Sequence, residues 1–495
     1  MICIFKRLLL LSLLCTPLLT LGSCSTNPAT GKKSFTAFMS EEEEKRVGAA
    51  EHPKILKQFG GVYDDKNLGF YVASIGAKLA RYSEFPNLDF TFTVLNTDKV
   101  NAFALPGGYI YITRGLLAIT TDEAEMAGVL AHEIGHVTAR HSSQRYSATM
   151  ATNIGLKILG VIGRAAGAPS GTGQLVSFGA QAALKSYSRE QELESDMLGV
   201  RYLKLAGYDP KAMVSFFYKL QGHSKLEAKM WGKKDKSTAD IMSTHPLTSE
   251  RIAAAEKLSL DSNTIGRERK KKIFESKING LVFGDDPDQG IRRGRFFEHP
   301  KLGIRFEVPP GFSMINTPKR LIAKSKENSV ILFDMALEKK VQELGGIEKY
   351  LKAINFKGGR FRDIKQIDVN GLSAVTGIAS LNILGKKRDV KLFVIKKNKN
   401  QIFRLWFETD PKKTEAWVAD FNKTIQSFTS LNEEEVSKIK PLRIRFKTIS
   451  IGENIEEIAE RMPVERFAID WLELLNGIKK DEPLKAGTKI RIISQ

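Results

Sequence analysis

The chain opens on an apolar run, "LLLLSLLCTPLLTLG" at residues 8–22, set between Lys6 and Arg7 on one side and Ser23 and Cys24 on the other. A basic start, an apolar middle and small residues before a cut have the order of a secretory signal, not of a folded helix. The next stretch, "STNPATGKKSF", is polar and reads as a tether over 24–34. Periodic order begins at Ser40. In "SEEEEKRVGAAEHPKILKQFG" a Ser N-cap, Glu43 three residues on and an acidic first turn predict a helix. "LDFTFTVLN" alternates as a half-buried strand, and "NAFALPGGYIYIT" reads as two more strands about a turn at Pro106, Gly107 and Gly108. A helix follows with Leu130, Ile134 and Val137 on its buried side, capped by Thr120 with Glu123 or by Asp122 with Glu125.

A Gly/Ala-rich segment at 151–184 separates that helix from a second, "SREQELESDMLGVRYLKLAG". It reads as a mobile lid, a membrane-touching helix or ordinary packed helices, and Lys157 and Arg164 interrupt any spanning run. From "RERKKK" onward the composition turns charged and turn-rich, which marks a linker over 259–294. Residues 295–430 then alternate strands ("IRFEVP", "SVILFDMAL", "VKLFVIKK", "QIFRLWFET") with helices ("GGIEKYLKAI", "KKTEAWVADFNKTIQSF"), an α+β pattern, and a short module occupies 441–494. The expected fold is multidomain α+β: a mainly helical domain with one small sheet over 35–258, an α+β domain, and a small βααβ module.

Composition narrows the partners. A chain of 495 residues holds two to four domains. Its 76 Lys and Arg against 56 Asp and Glu give a formal charge of +20, which suits nucleic acid, anionic membrane or cell-wall polymer, and the export signal argues against nucleic acid. Cys3, Cys15 and Cys24 are the only cysteines, so a chain cut before Cys24 has no pair to oxidise. "LGSC" at 21–24 resembles a bacterial lipobox. That resemblance implies acylation of Cys24, a lipid anchor in the membrane after removal of 1–23, and, with Ser25 next, an outer-membrane location facing the periplasm.

The chemistry is concentrated in "AHEIGHVTARH" at 131–141. Histidines at i and i+4 lie on one helical face a turn apart, so His132 and His136 can reach one zinc ion at roughly 2.0–2.1 Å. Glu133 beside the first ligand is placed to act as general base on a water. Gly128, Gly135 and Ala139 share the histidine face, and their small size is read as leaving room for metal and substrate. A catalytic zinc needs a third ligand. The long metzincin pattern fails at Ala139 and Ser142 and leaves His141 out of register. "REQELESD" offers carboxylates from a separate helix instead. Glu192 and Asp196 share a side with Gly199 and Leu203, whereas Glu190 and Glu194 continue to Arg201 on a solvated face. Glu192 is therefore the expected ligand, with Asp196 behind it orienting a histidine.

HExxH followed downstream by ExxxD resembles the zinc metallopeptidases of the HtpX and CAAX-prenyl-protease family, and "NAFALPGGYIYITRGLL", "SREQELESD" and "THPLTSERI" are similar to that family's patterns. The resemblance implies a gluzincin fold, endoproteolysis, one zinc per chain and ligands at His132, His136 and Glu192. It also puts His245 and Arg251 near the site, where His245 touches the metal or stabilises an oxyanion. The family's several membrane-spanning helices are lacking, so the chain looks like an exported lipoprotein branch acting on protein or peptide substrates of the cell envelope. Phe103, Ala104 and Leu105 read as an edge strand that pairs with an extended substrate, or as an internal strand. The last module, with "LNGI" and "LKAGTKIRII", looks like a LysM-type domain, which implies peptidoglycan as a partner. Residues 295–430 faintly resemble the PsbP/Mog-like fold. The function expected is envelope protein quality control by a zinc endopeptidase; the alternatives are a scaffold or chaperone-like protein with a closed metal site, and a peptidoglycan hydrolase.

Overall fold

The computed structural model describes residues 25–36, 38–152, 186–230, 232, 243–260, 268–356, 359–479 and 482–495. Cys24, the signal stretch before it and most of the Gly/Ala-rich segment at 151–184 lie outside the described residues. The protein mixes helices with several separate sheets. It divides into two units, the first holding the chain up to Lys57 together with 61–281 and 444–494, the second holding 58–60, 282–443 and 495.

The first unit begins with a two-stranded hairpin of β1 (Ser25–Thr26) and β2 (Lys33–Ser34), then α1 (Glu41–Gln58) and α2 (Lys66–Ala80). The Ser40 hydroxyl accepts the Glu43 amide at 3.2 Å, as the N-cap pattern predicts. A three-stranded sheet follows, made of β3 (Thr91–Leu95), β4 (Ala102–Leu105) and β5 (Tyr109–Thr113), with β5 in the middle, parallel to β3 and antiparallel to β4. Gly107 and Gly108 turn the chain between β4 and β5 at φ of +79° and +86°, a region glycine enters freely.

A short helix, α3 (Arg114–Ile119), leads to α4 (Glu123–Thr138), which carries the His132–Glu133–His136 sequence. Asp122 caps α4 by accepting from the Glu125 amide. Every residue of α4 is buried, because α2, α5 (Arg189–Leu205), α6 (Lys211–Met230) and the β4 and β5 strands pack around it. Its acidic first turn survives burial by being hydrogen-bonded: Glu123 accepts from the Tyr71 and Tyr208 hydroxyls at 2.7 Å each, and Glu125 accepts from Ser215 Oγ at 2.6 Å. Gly128 lines the pocket beside His132 and Glu133, as expected, whereas Gly135 serves a different purpose. A Cβ on Gly135 would lie 2.7 Å from Ser195 Oγ and 3.0 Å from Ser195 O, and one on Gly199 would lie 3.1 Å from the His132 amide nitrogen. The space is taken up by the close crossing of α4 and α5.

The unit continues with α7 (Ser249–Leu260) and α8 (Lys271–Ile278). The stretch read as a linker thus contains a helix whose Phe274 and Ile278 are fully buried against α2 and α4; its lysine-rich surface concealed two apolar positions four apart. Residues 444–494 return to the same unit with α9 (Ile455–Glu460) and α10 (Ala468–Asn476) between strands Leu442–Thr448 and Lys489–Ser494, a βααβ order. Helix α10 packs on α6 and α3. Lys219 Nζ donates to Leu474 O at 2.8 Å, and the buried Arg491 donates through Nη1 to Ala118 O and Thr120 O, each at 2.7 Å. Arg491 therefore satisfies carbonyls that the end of α3 leaves bare.

The second unit is built on a seven-stranded antiparallel sheet. Across it the strands run Phe312–Thr317, Arg320–Ser325, Val330–Met335, Ile402–Thr409, Lys386–Lys396, Leu372–Ile383 and Arg362–Val369. One face packs under helix Thr414–Gln426 in a core rich in phenylalanine, including Phe306, Phe333, Phe403 and Phe428. The first and last residues of the unit's main span, Val282 and Arg443, are register partners in a short ladder, so its two ends lie side by side. Among the described residues, no helix is long and apolar enough to cross a membrane.

Candidate metal centre

Helices α4 and α5 bring the expected ligands together. His132 Nε2 and His136 Nε2 face each other at 3.0 Å; Glu192 Oε2 lies 3.6 Å from the first and Glu192 Oε1 3.5 Å from the second. Ligand atoms about 2.05 Å from one tetrahedral centre stand about 3.3 Å apart. The three observed distances, two of them to different oxygens of the one carboxylate, bracket that spacing, and all three side chains are buried. His245, from the segment before α7, joins them with Nδ1 3.0 Å from Glu192 Oε1 and 3.3 Å from His132 Nε2, so one donor atom from each of the four residues falls within 4.8 Å of all the others. Nitrogen and carboxylate oxygen in this number and spacing are the donor set of zinc.

Arg251 holds the carboxylates in place. Its Nε and Nη2 donate to the two oxygens of Asp196 at 2.7 Å each, while Nη1 is 2.6 Å from Glu192 Oε2. Asp196 Oδ1 in turn stands 2.8 Å from His132 Nδ1, the position of a carboxylate that orients a metal-binding imidazole. Burial acts to raise the Glu192 carboxyl, and the positive groups of His245 and Arg251 more than offset it, holding Glu192 well below the usual carboxylate range. Asp196 is lowered in the same way, burial being outweighed by Arg251. Burial pushes His136 far toward the neutral form that a ligand requires.

Glu133 is the exception among the carboxylates. Its side chain is 2% exposed, burial raises its pKa, and its Oε2 accepts no hydrogen bond among the described residues. Its Oε1 is 3.5 Å from His245 Nε2. Beside it lies a small apolar pocket lined by Val129, Met213, Phe216, Phe217, Leu220 and Leu247. The stretch Phe103–Leu105 is at one edge of the three-stranded sheet, and each whole residue, backbone included, is about 1% exposed, so another chain can pair with this edge only after what covers it moves.

One group escaped the sequence reading and one was misplaced by it. Tyr187 stacks on His136 with ring centroids 3.7 Å apart and planes at 14°, its hydroxyl 3.0 Å from Ser142 Oγ and the Arg145 guanidinium 3.7 Å over its other face. It precedes the α5 cap Ser188 and obeys no helical period, so no pattern pointed to it. Glu194 is a correction. It was expected on a solvated face, yet its Oε2 lies 3.3 Å from His141 Nε2 and its Oε1 accepts from Asn27 Nδ2 at 3.2 Å. The N-terminal segment covers that side of α5, which a helical-wheel argument cannot see. Glu190 stays exposed as expected.

Comparisons with known proteins agree with this geometry. Residues 69–259 match the model of peptidase family M48. The chain is 32% identical over 240 residues to the beta-barrel assembly-enhancing protease of Escherichia coli (strain K12), covering 47% of each chain. It is 27% identical over 237 residues to the mitochondrial metalloendopeptidase OMA1 of Schizosaccharomyces pombe, covering 46% of this chain and 64% of that one. The match thus spans about half the length of the bacterial relative. A solved structure, cyanobacterial PsbP from Synechocystis, is similar at 14% identity and a TM-score of 0.22, over 28% of this chain and 98% of that one. His132, Glu133, His136 and Glu192 all lie inside residues 69–259, the part of the chain that is similar to peptidase family M48.

Proposed function

We propose that the protein is a zinc-dependent endopeptidase of the bacterial envelope, with His132, His136 and Glu192 as ligands and Glu133 as general base. The observation that carries this reading is the buried His132–His136–Glu192 cluster with an adjoining carboxyl, Glu133, whose Oε2 accepts no hydrogen bond among the described residues. Zinc bound there supplies a Lewis acid that polarises a peptide carbonyl and makes a water easier to deprotonate. Glu133 Oε2 takes the proton of the attacking water and returns it to the leaving amine. His245 Nε2, which makes no hydrogen bond among the described residues, is placed to donate to the oxygen that becomes negative. Arg251 and Asp196 hold Glu192 and His132 in register throughout. The backbone of Phe103, Ala104 and Leu105 takes an extended substrate by strand addition.

The substrates proposed are misfolded or misassembled exported proteins, in keeping with the name of the bacterial relative. The HtpX-like lipoprotein branch, acylation of Cys24, an outer-membrane location facing the periplasm, the layout of domains outside 69–259 and glycan binding by the LysM-like 441–494 module belong to the same reading. It is tested by casein cleavage: hydrolysis lost in Glu133→Gln while zinc stays bound supports it, and a zinc-loaded wild type that cleaves no peptide overturns it. One observation favours a second reading, a closed site. Four protein donors, His245 included, converge where a catalytic zinc keeps three. On that reading His245→Ala raises hydrolysis; on the first it lowers it.

A further inference from the structure

We infer that His141 and Glu194 are positioning residues that fix His136 for the metal, and that the N-terminal segment completes the arrangement through Asn27. The inference rests on the reading of His136 as a ligand. His136 has Nε2 in the donor triangle and Nδ1 2.8 Å from His141 Nδ1. Two facing ring nitrogens share one proton. An imidazole that binds a metal through Nε2 carries its proton on Nδ1, so His136 is the donor and His141 Nδ1 the acceptor. His141 then carries its own proton on Nε2, which points at Glu194 Oε2 3.3 Å away. The carboxylate that commonly stands directly behind a ligand histidine stands here one imidazole further out.

The backbone is shaped to allow this. Helix α4 ends at Thr138, and Arg140 takes a φ of +55°, a left-handed conformation that costs a side-chain-bearing residue energy. Arg140 is held in it by donating from Nε to Glu44 Oε1 and from Nη2 to Met39 O, both at 2.8 Å. The reversal folds His141 back against His136, and His141 is fully buried. On the outer side, Asn27 Nδ2 donates to Glu194 Oε1 at 3.2 Å and to Ala139 O at 3.3 Å, and Asn27 is 2% exposed. A residue of the expected tether is thus the last member of a chain of contacts that begins at the metal ligand. His141 is not an alternative ligand, since its Nδ1 is engaged by His136.

The test uses the full chain and three variants: His141→Leu, His141→Asn and Asn27→Leu. Zinc affinity is read by competition with a chromogenic chelator, and ligand geometry by the visible absorption of the cobalt-substituted protein. His141→Leu removes the acceptor and is expected to weaken zinc about 10- to 100-fold and to change the cobalt spectrum. In His141→Asn the Oδ1 replaces Nδ1 as acceptor, so affinity should return to within about threefold of wild type. Asn27→Leu should give a smaller loss in the same direction. Zinc binding by wild type together with unchanged affinity and spectrum in His141→Leu overturns the inference and leaves the ligand reading standing; so does an equal loss in the Leu and Asn variants. A wild type that binds no zinc, like a His136→Ala that binds it as tightly as wild type, overturns the ligand reading and the inference with it.

Discussion

Arg251 and Asp196 are joined by two parallel hydrogen bonds of 2.7 Å, and both side chains are almost wholly buried. The same guanidinium reaches Glu192, so one cation neutralises two carboxylates that burial alone would protonate. Arg251→Met should take the guanidinium from both, leaving them only imidazole partners, and cost about 3–5 kcal/mol, read as a lower urea midpoint of the metal-free protein. Arg251→Lys should restore little, because an ammonium cannot make the forked pair. A wild-type midpoint in Arg251→Met would show that the pair does not hold the site.

Removing charge from the third donor should separate two acidic residues of one helix. Glu192→Gln keeps the shape but leaves the donor triangle without its anion, so zinc retention after dialysis should fall strongly. Glu190→Gln, exposed two residues earlier, should retain zinc like wild type. Equal retention in the two variants would place the third ligand elsewhere. Glu194, which sequence alone would offer as a silent control, is unsuitable because it holds His141.

Gly135→Ala should act on the metal centre without touching a donor. Its methyl would come within 3.0 Å of Ser195 O and 2.7 Å of Ser195 Oγ, forcing apart the helices that carry His132 and Glu192. Overpacking of this kind costs about 1–3 kcal/mol, and the separation should also weaken zinc. Wild-type unfolding and zinc affinity together would mean that the crossing yields without strain.

His223 should set part of the acid sensitivity of the first unit. Burial lowers its pKa to about 4, from an ordinary value of 6.5. Between those values the unfolded chain binds a proton that the folded chain does not. The contribution is therefore present above pH 6.5 and is lost as pH falls through 4, up to about 3 kcal/mol. His223→Gln should flatten the fall in stability between pH 6.5 and 4, measured by denaturant unfolding with chelator present so that metal release does not intrude. A slope identical to wild type would refute it.

The HExxH helix, its Asp122 cap, the turn at Gly107 and Gly108 and the choice of Glu192 over Glu190 were readable because each rests on spacing along one element. Strand Leu372–Ile383 was not, since its Ser, Ala and Gly residues give little β signal and Gly377 is there to admit Ile364 and Leu351. Tyr187, Asn27 and Arg145 were hidden for another reason. They reach the centre from segments far apart in the chain, and periodicity carries no information about which distant surface will cover a helix. The proximity of His245 and Arg251 came only from family likeness; that Arg251 bridges two carboxylates is visible only in three dimensions.

The bonds from Arg491 to Ala118 and Thr120 join residues 373 and 371 positions apart. On a ribosome adding about 5–20 residues per second, those two carbonyls exist for roughly 20–70 s before their donor is made. The metal donors are complete by His245, 246 residues earlier (491 − 245). A nascent chain can thus gather its histidines and Glu192 while α3 still ends in uncapped carbonyls, and only the arrival of the last strand closes that end. Truncation anywhere in 282–443 yields a piece with every metal donor and an unfinished wall.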